Sequence, residues 1–189
     1  MPEDARVFTP PVDATLLRFG ADYREHVTLH DGSTAQLFAM NAAHAPCLMR
    51  GFERLSARSR YLRFLRGGMK LGPDVVRYLT DVDGQRHYAI AARVPGSGGG
   101  PAGVARIVQV AGSPERVEAA ITVVDAYQRQ GLGTALAARI VEAARERGYR
   151  AVVADALAEN RPVLRLLRRG PRQPQLRRQG TAIEALLPL

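Results

Sequence analysis

The chain has 189 residues, 46% of them hydrophobic, which suits one globular domain with a sizeable core. A net charge of +9 and a pI near 10.7 would ordinarily suggest nucleic acid, but the charge is nearly all arginine, with Lys70 the only lysine. Beside high alanine and glycine this reads as coding bias, so we expect non-specific polyanion attraction and no specific nucleic-acid site. Cys47 is the only cysteine, no run approaches the roughly 18 apolar residues of a membrane span, and Met1 to Asp4 lacks a basic start with an apolar signal core. The expectation is a cytoplasmic protein with no disulfide and no membrane segment.

In chain order, residues 1–24 read as an N-terminal arm and residues 25–189 as a single domain. Glu25 to Met40 has a hairpin pattern with Asp31-Gly32-Ser33 at its turn. His26 and His30 show one-turn metal spacing, but no carboxylate or cysteine partner accompanies them, and we assign no metal. Ala42 to Leu79 reads as two helices. Within them Arg60, Arg63 and Arg66 recur every third residue with Leu62 and Leu65 on another face, which a solvated helix face explains; they would otherwise rim an acceptor cleft. Tyr88 to Val94 and Gly103 to Val110 read as strands. Between them Gly96-Ser97-Gly98-Gly99-Gly100 reads as a flexible loop and lacks the Gly-x-Ser-x-Gly of a nucleophile elbow. Val117 to Val124 is strand-like, and Leu132, Leu136, Ile140 and Ala144 then recur at the spacing of a buried helical face, with Gly148 as the stop. Ala151 to Leu157 is a further strand. Asn160 next caps a helix that has Pro162 in its first turn. Arg161, Arg165, Arg168, Arg169, Arg172, Arg177 and Arg178 concentrate positive charge late in the chain, suited to phosphates or an acidic partner surface.

The most informative segment is Asp125-Ala-Tyr-Gln-Arg-Gln-Gly-Leu-Gly-Thr134, where a strand must turn abruptly into a helix. Gly131 and Gly133 let a ligand approach the backbone, and free N–H groups of the first helical turn, with the helix dipole, favour phosphate. A nucleoside-triphosphate loop is excluded, because Gly133 is followed by Thr134 and not by a lysine. A dinucleotide fingerprint fits less well, with Leu136 at its third glycine position, though Asp155 could stand for its ribose-binding acid.

Gln128-Arg129-Gln130-Gly131-Leu132-Gly133 resembles the central motif of the GNAT superfamily of acyl-CoA-dependent N-acyltransferases, Gln/Arg-x-x-Gly-x-Gly/Ala at such a junction. The likeness covers roughly Ala89 to Leu167. Leu55 to Phe64, Leu79 to Asp83 and Asn160 to Arg169 further resemble the catalytic domain of Pat-type bacterial protein lysine acetyltransferases. That resemblance implies an α/β fold with a mixed, mostly antiparallel central sheet flanked by helices and splayed between the strands near 117–124 and 151–157. It implies acetyl-CoA as cosubstrate, its diphosphate on the backbone of Gln128, Arg129, Gln130, Gly131, Leu132, Gly133 and Thr134. Its pantetheine arm would pair with the strand edge at Val123 and Val124 and would meet Asn160.

The implied reaction moves an acetyl group to an amine, most simply a protein lysine, by direct attack on the thioester. Glu118 falls where the Pat-type group carries its glutamate base, and burial in an apolar strand would raise its pKa. The ordinary alternative is a solvent-facing glutamate or one paired with an arginine such as Arg106. Two departures stand out: no tyrosine follows Tyr149, so the last helix lacks the general acid of many relatives, and Gly170 is followed by Pro171 in place of the Gly-aromatic pair that announces a closing hairpin. A small-molecule amine as acceptor, or a non-catalytic acyl-CoA sensor, therefore remains open.

Overall fold

A computed structural model describes residues 17–65, 68, 70–96, 100–169 and 173–189. Its strands are β1 (Arg24–Thr28), β2 (Thr34–Ala39), β3 (His87–Arg93), β4 (Gly103–Val110), β5 (Ser113–Val123), β6 (Ala151–Leu157), β7 (Gln175–Gln179) and β8 (Ala182–Pro188). The helices are α1 (Ala45–Glu53), α2 (Ala57–Phe64), α3 (Pro73–Thr80), α4 (Leu132–Glu146) and α5 (Arg161–Arg169). The strands form one sheet in the order β1-β2-β3-β4-β5-β6-β8-β7, antiparallel throughout except for the parallel β5–β6 pair.

Alternation along the central strand separates two cores. Tyr88, Ile90 and Ala92 of β3 face the cluster beneath α4, which adds Leu132, Leu136, Ile140, Ala143 and Ala144. Ala89 and Ala91 face the other side, with Phe38, Met40, Leu48 and Leu79 under α1 and α3. Three helices, not two, occupy Ala42 to Thr80, because Ser56 caps a new helix by accepting the Ser59 N–H and Pro73 starts a third. The closing hairpin that lacked its signature does form as β7 and β8, turning at Gly180, whose φ is 60°. Gly170 and Pro171 lie outside the described residues, as do Arg66, Arg172 and Ser97 to Gly99.

The packed chain reaches back past the boundary expected at residue 25. Phe19 and Tyr23 are buried beside α4, and the backbone N–H groups of Arg18 and Phe19 donate to the Glu146 carboxylate. Glu25 receives Arg139 of α4 and the Tyr23 hydroxyl, and the Arg139 bond above all holds its carboxyl down to about 2. The rest of the expected arm, residues 1–16, lies outside the described residues.

Arg147, just past α4, is only 1% exposed. Its guanidinium donates to the carbonyls of Gly84 (2.8 Å), Ala143 (2.9 Å) and Phe19 (2.8 Å) and stacks 3.9 Å from the Tyr88 ring centroid. One side chain thereby ties the helix end to the N-terminal segment and to the turn before β3.

The feature that positions the site is the shortness of the β5–β6 ladder. Only Arg116 to Glu118 pair with Ala151 to Val153, after which β6 follows β8 along its whole length and leaves β5. The sheet is therefore splayed where the family resemblance implied an opening.

Candidate active site

β5 ends at Val123, Asp125–Tyr127 make one 3-10 turn, and Gln128 is extended. Arg129 (φ 62°) and Gly131 (φ 88°) then take the left-handed conformation. For a non-glycine residue this costs on the order of 1 kcal/mol, strain of a kind that gathers at ligand-holding loops. α4 starts directly after Gly131 with no side-chain cap, so the N–H groups of Leu132, Gly133 and Thr134 find no acceptor among the described residues. A Cβ on Gly133 would meet only Val123 Cγ2, at 3.7 Å, so the approach to these groups is open.

Gly131 has a different reason. The position its Cβ would take is filled by the His30 ring, with Nε2 2.8 Å away, and the His30 N–H donates to the Gln130 carbonyl at 3.0 Å. Gly131 makes room for the tip of the β1–β2 hairpin, a contact between distant segments that motif spacing does not reveal. The side chains of the motif serve the loop itself. Gln128 Nε2 donates to the Val123 carbonyl (3.1 Å) and the Ser59 hydroxyl (3.2 Å), and Gln130 Nε2 donates to the Ala126 carbonyl (3.1 Å). Leu132 is buried in the core and Arg129 is exposed. What residues 128–134 offer an anion is main chain. Asp125, unassigned in the sequence, accepts bonds from the Ser56 N–H and the Ser56 and Ser59 hydroxyls and so fixes the start of α2 beside this loop.

Along the strand the structure corrects one residue and adds another. The Val124 N–H donates to Ala102 (2.8 Å) and its carbonyl accepts the Tyr127 N–H (2.8 Å), so Val124 is held on both sides and offers no strand edge. Backbone groups alternate in direction along an antiparallel pair, and Val124 faces β4. Val123, Ile121 and Ala119 therefore face the gap left by β6, and Ile121 is the edge residue the sequence did not single out.

The gap opens into a cavity of about 510 Å³ walled by Arg63 and Phe64 of α2, Glu118 to Ile121 of β5, Thr134, Ala137, Ala138 and Val141 of α4, Ala154 and Asp155 of β6, and Leu166 and Leu167 of α5. Asn160 also lines it. Its Oδ1 accepts the Val163 N–H (3.3 Å), the expected cap, while the residue is nearly buried. Glu118 stands on the cavity wall but is exposed, against the expectation of burial, because β6 diverges at that residue and leaves its flank uncovered.

Arg106 is not its partner. Arg106 is buried and donates to His87 Nε2 (2.7 Å) and to the Leu79 carbonyl (3.0 Å). Burial, then the nearby Arg63, bring its pKa down to about 10. Arg63 is the cation close enough to Glu118 to feel its charge, so the solvated face read for Arg60 and Arg63 holds for neither: Arg63 lines the cavity, and Arg60 lies 4.5 Å over Phe52 with a bond to the Glu53 carbonyl. A smaller cleft beneath α1 and α3, about 50 Å³, is lined by Phe52, Leu79, Arg63, Arg106, Ala120 and Thr122.

Because an arginine can only donate, His87 Nε2 must be an acceptor and its ring neutral. Burial first and Arg106 second hold His87 down to about 4. Above pH 6.5 the ring is neutral folded or unfolded and costs nothing. As pH falls from there the unfolded chain takes up a proton that the folded chain refuses, so stability is lost down to about pH 4 and then levels. The loss expected at this one site is roughly 2 kcal/mol after solvent screening. Denaturant unfolding of the parent and of His87→Gln between pH 7 and 4 checks it, since the variant should lack this part of the slope.

Comparison with known proteins assigns the fold to a family. A family model described as the Acetyltransferase (GNAT) family matches residues 57–170, more than half of the chain. The chain belongs to the acetyltransferase (GNAT) family. This GNAT-family chain is 31% identical over 109 residues to an acetyltransferase of Pseudomonas aeruginosa, a match spanning 57% of the chain and 58% of that relative. Among solved structures it is similar to the GNAT domain of S. lividans Pat, with a TM-score of 0.80 at 26% identity over 88% of this chain and 97% of that one. It also shares its fold with a cAMP-binding acyltransferase from Mycobacterium smegmatis, at TM-score 0.58 and 20% identity over 87% of this chain and 46% of that one. A third likeness is to the yncA protein of Salmonella typhimurium solved with acetyl-CoA as its cofactor, at TM-score 0.59 and 17% identity over 81% of this chain and 92% of that one. In this GNAT-family chain the splayed strands and the glycine loop lie side by side. Among the described residues no three His, Cys, Asp or Glu side chains gather as a metal site, and no helix is long and apolar enough to cross a membrane.

Proposed function

We propose that this chain transfers the acetyl group of acetyl-CoA to an amine, most simply the side chain of a protein lysine, with Glu118 as the proton acceptor. The observation that carries the proposal is an alignment along one strand. The N–H groups at the start of α4 that find no acceptor among the described residues lie at one end of the free β5 edge and Glu118 at the other, and both Thr134 and Glu118 line the 510 Å³ cavity.

The residues fit the cosubstrate. The backbone of Arg129 to Thr134 would hold its diphosphate, the edge at Ile121 and Val123 would pair with its amides, and Asn160 would flank it. When bound, acetyl-CoA supplies the activated acetyl group. The protein's own task is the acceptor. An amine of pKa about 10.4 costs roughly 4.6 kcal/mol to hold neutral at pH 7. Arg63 and Arg106 lie on the acceptor side and disfavour an ammonium, while Glu118 can take the proton directly or through one water.

Glu118→Gln tests this. Turnover should fall by roughly 10² to 10⁴ while calorimetric affinity for acetyl-CoA stays within a factor of two or so of the parent. Unchanged turnover would remove Glu118 from the chemistry. No CoA release with any amine or protein pool would leave an acyl-CoA sensor, the reading that the exposed carboxylate and the tyrosine-free α5 favour next.

A further inference from the structure

Two arginines stand where a cationic amine is to be received, and only one of them has work within the protein. Arg106 spends its donors on His87 and the Leu79 carbonyl. Arg63 makes no hydrogen bond and no ion pair among the described residues; its guanidinium lies 4.9 Å over the ring of Phe64 and lines both the large cavity and the smaller cleft. It is thus the element shared by the two spaces, beside Glu118 and backed by a second positive charge.

We propose that Arg63 selects acceptors carrying a carboxylate next to the reacting amine, as in a lysine flanked by aspartate or glutamate. This rests on the acetyl-transfer reading above and names its substrate class. Three observations lead to it. The first is charge balance: Arg63 lines one cavity with the Glu118 carboxylate and forms no ion pair with it, while Arg106 adds a second positive charge from the smaller cleft that Arg63 also lines. Glu142 and Asp155 also line the large cavity, but from α4 and β6, with Arg145 beside them.

The second is position. Arg63 lines one cavity with Glu118, and of the loop residues 128–134 only Thr134 belongs to that lining. The arm and thioester of the cosubstrate are uncharged, so a carboxylate beside Arg63 would arrive with the acceptor.

The third is desolvation. Burial disfavours the charged form of Arg63, which the Glu118 charge opposes. A planar donor fork with no acceptor among the described residues is suited to a two-point bond with a carboxylate. Such a charge-assisted contact would also place the neighbouring amine against Glu118 despite the local positive field.

The experiment compares acceptors in steady-state acetylation by the full chain. Two peptides differ only in an Asp or an Asn beside one lysine, and free lysine is set against lysinamide. The parent should prefer the Asp peptide by roughly tenfold or more in kcat/KM, and Arg63→Gln should erase the preference with acetyl-CoA affinity and thermal midpoint unchanged. Arg63→Lys should restore part of it. A preference for lysine over lysinamide without one between the peptides would support the arginine's role and give the carboxylate a free amino acid as its source. Transfer by the parent with no preference in either pair, or a preference that survives Arg63→Gln, overturns the assignment of Arg63 alone. No transfer to any acceptor overturns the acetyl-transfer reading and this one with it.

Discussion

Gly133→Glu is expected to fold as well as the parent and to lose acetyl-CoA binding by at least about 100-fold. The two effects separate because of where the residue lies. Gly133 is in the first turn of α4 at an ordinary helical φ, and a side chain there meets only Val123 at van der Waals distance. Glutamate is a better helix former than glycine by roughly 0.5 to 1 kcal/mol, and a carboxylate near a helix N-terminus is favourable. Its charge and bulk occupy the space in front of the uncapped N–H groups, however, so an incoming diphosphate loses several charge-assisted bonds and meets repulsion. Two or three such bonds at roughly 1.5 to 3 kcal/mol exceed the 2.7 kcal/mol of a 100-fold change. Gly131→Ala should behave in the opposite sense. At φ 88°, with His30 Nε2 2.8 Å from the new Cβ, it should destabilise the fold by roughly 1 to 3 kcal/mol before any ligand is considered. Thermal unfolding and calorimetric titration of both variants decide the matter. Parental affinity in Gly133→Glu would mean that the loop is not the cradle.

Arg147→Met should cost about 3 to 5 kcal/mol of stability, measured as a lower urea midpoint at constant slope. Replacing a buried ion pair by an apolar side chain is often harmless, but Arg147 is bonded to three carbonyls and not to a carboxylate. Removing the guanidinium leaves the Gly84, Ala143 and Phe19 carbonyls short of a donor, each at about 1 kcal/mol or more, and forfeits the stacking on Tyr88. Arg147→Lys should recover less than half, because a single ammonium cannot serve three directions from one plane. A loss below about 1 kcal/mol in Arg147→Met would show that water replaces the lost bonds.

The glycine loop, the strand before it and the helix after it were legible in the sequence because their determinants are local. Positive-φ glycine, four-residue apolar spacing and a cap at Asn160 all act within a few residues. The splay was legible only through resemblance, since nothing within Val117 to Val124 says that β6 will leave after three pairs. What escaped the sequence depends on contacts across long separations. His30 behind Gly131, Val124 consumed by Ala102 and Tyr127, Phe19 under Arg147, and Arg63 in place of Arg106 beside Glu118 are all products of packing. Glu118, expected to be buried, stands exposed on the cavity wall, for the same reason that the splay itself was invisible to periodicity.

The brief union of β5 with β6 also bears on how a guest is received. Main-chain groups from Ala119 to Val123 that turn toward the gap have no neighbouring strand to surrender. A visitor that lies down there meets one side-chain bond, from Gln128 Nε2 to the Val123 carbonyl, and no sheet must be unzipped to admit it. Specificity at this seat then falls to its two ends, where a loop of bare amides and a patch of arginine charge can each accept or refuse what the strand between them would hold without discrimination.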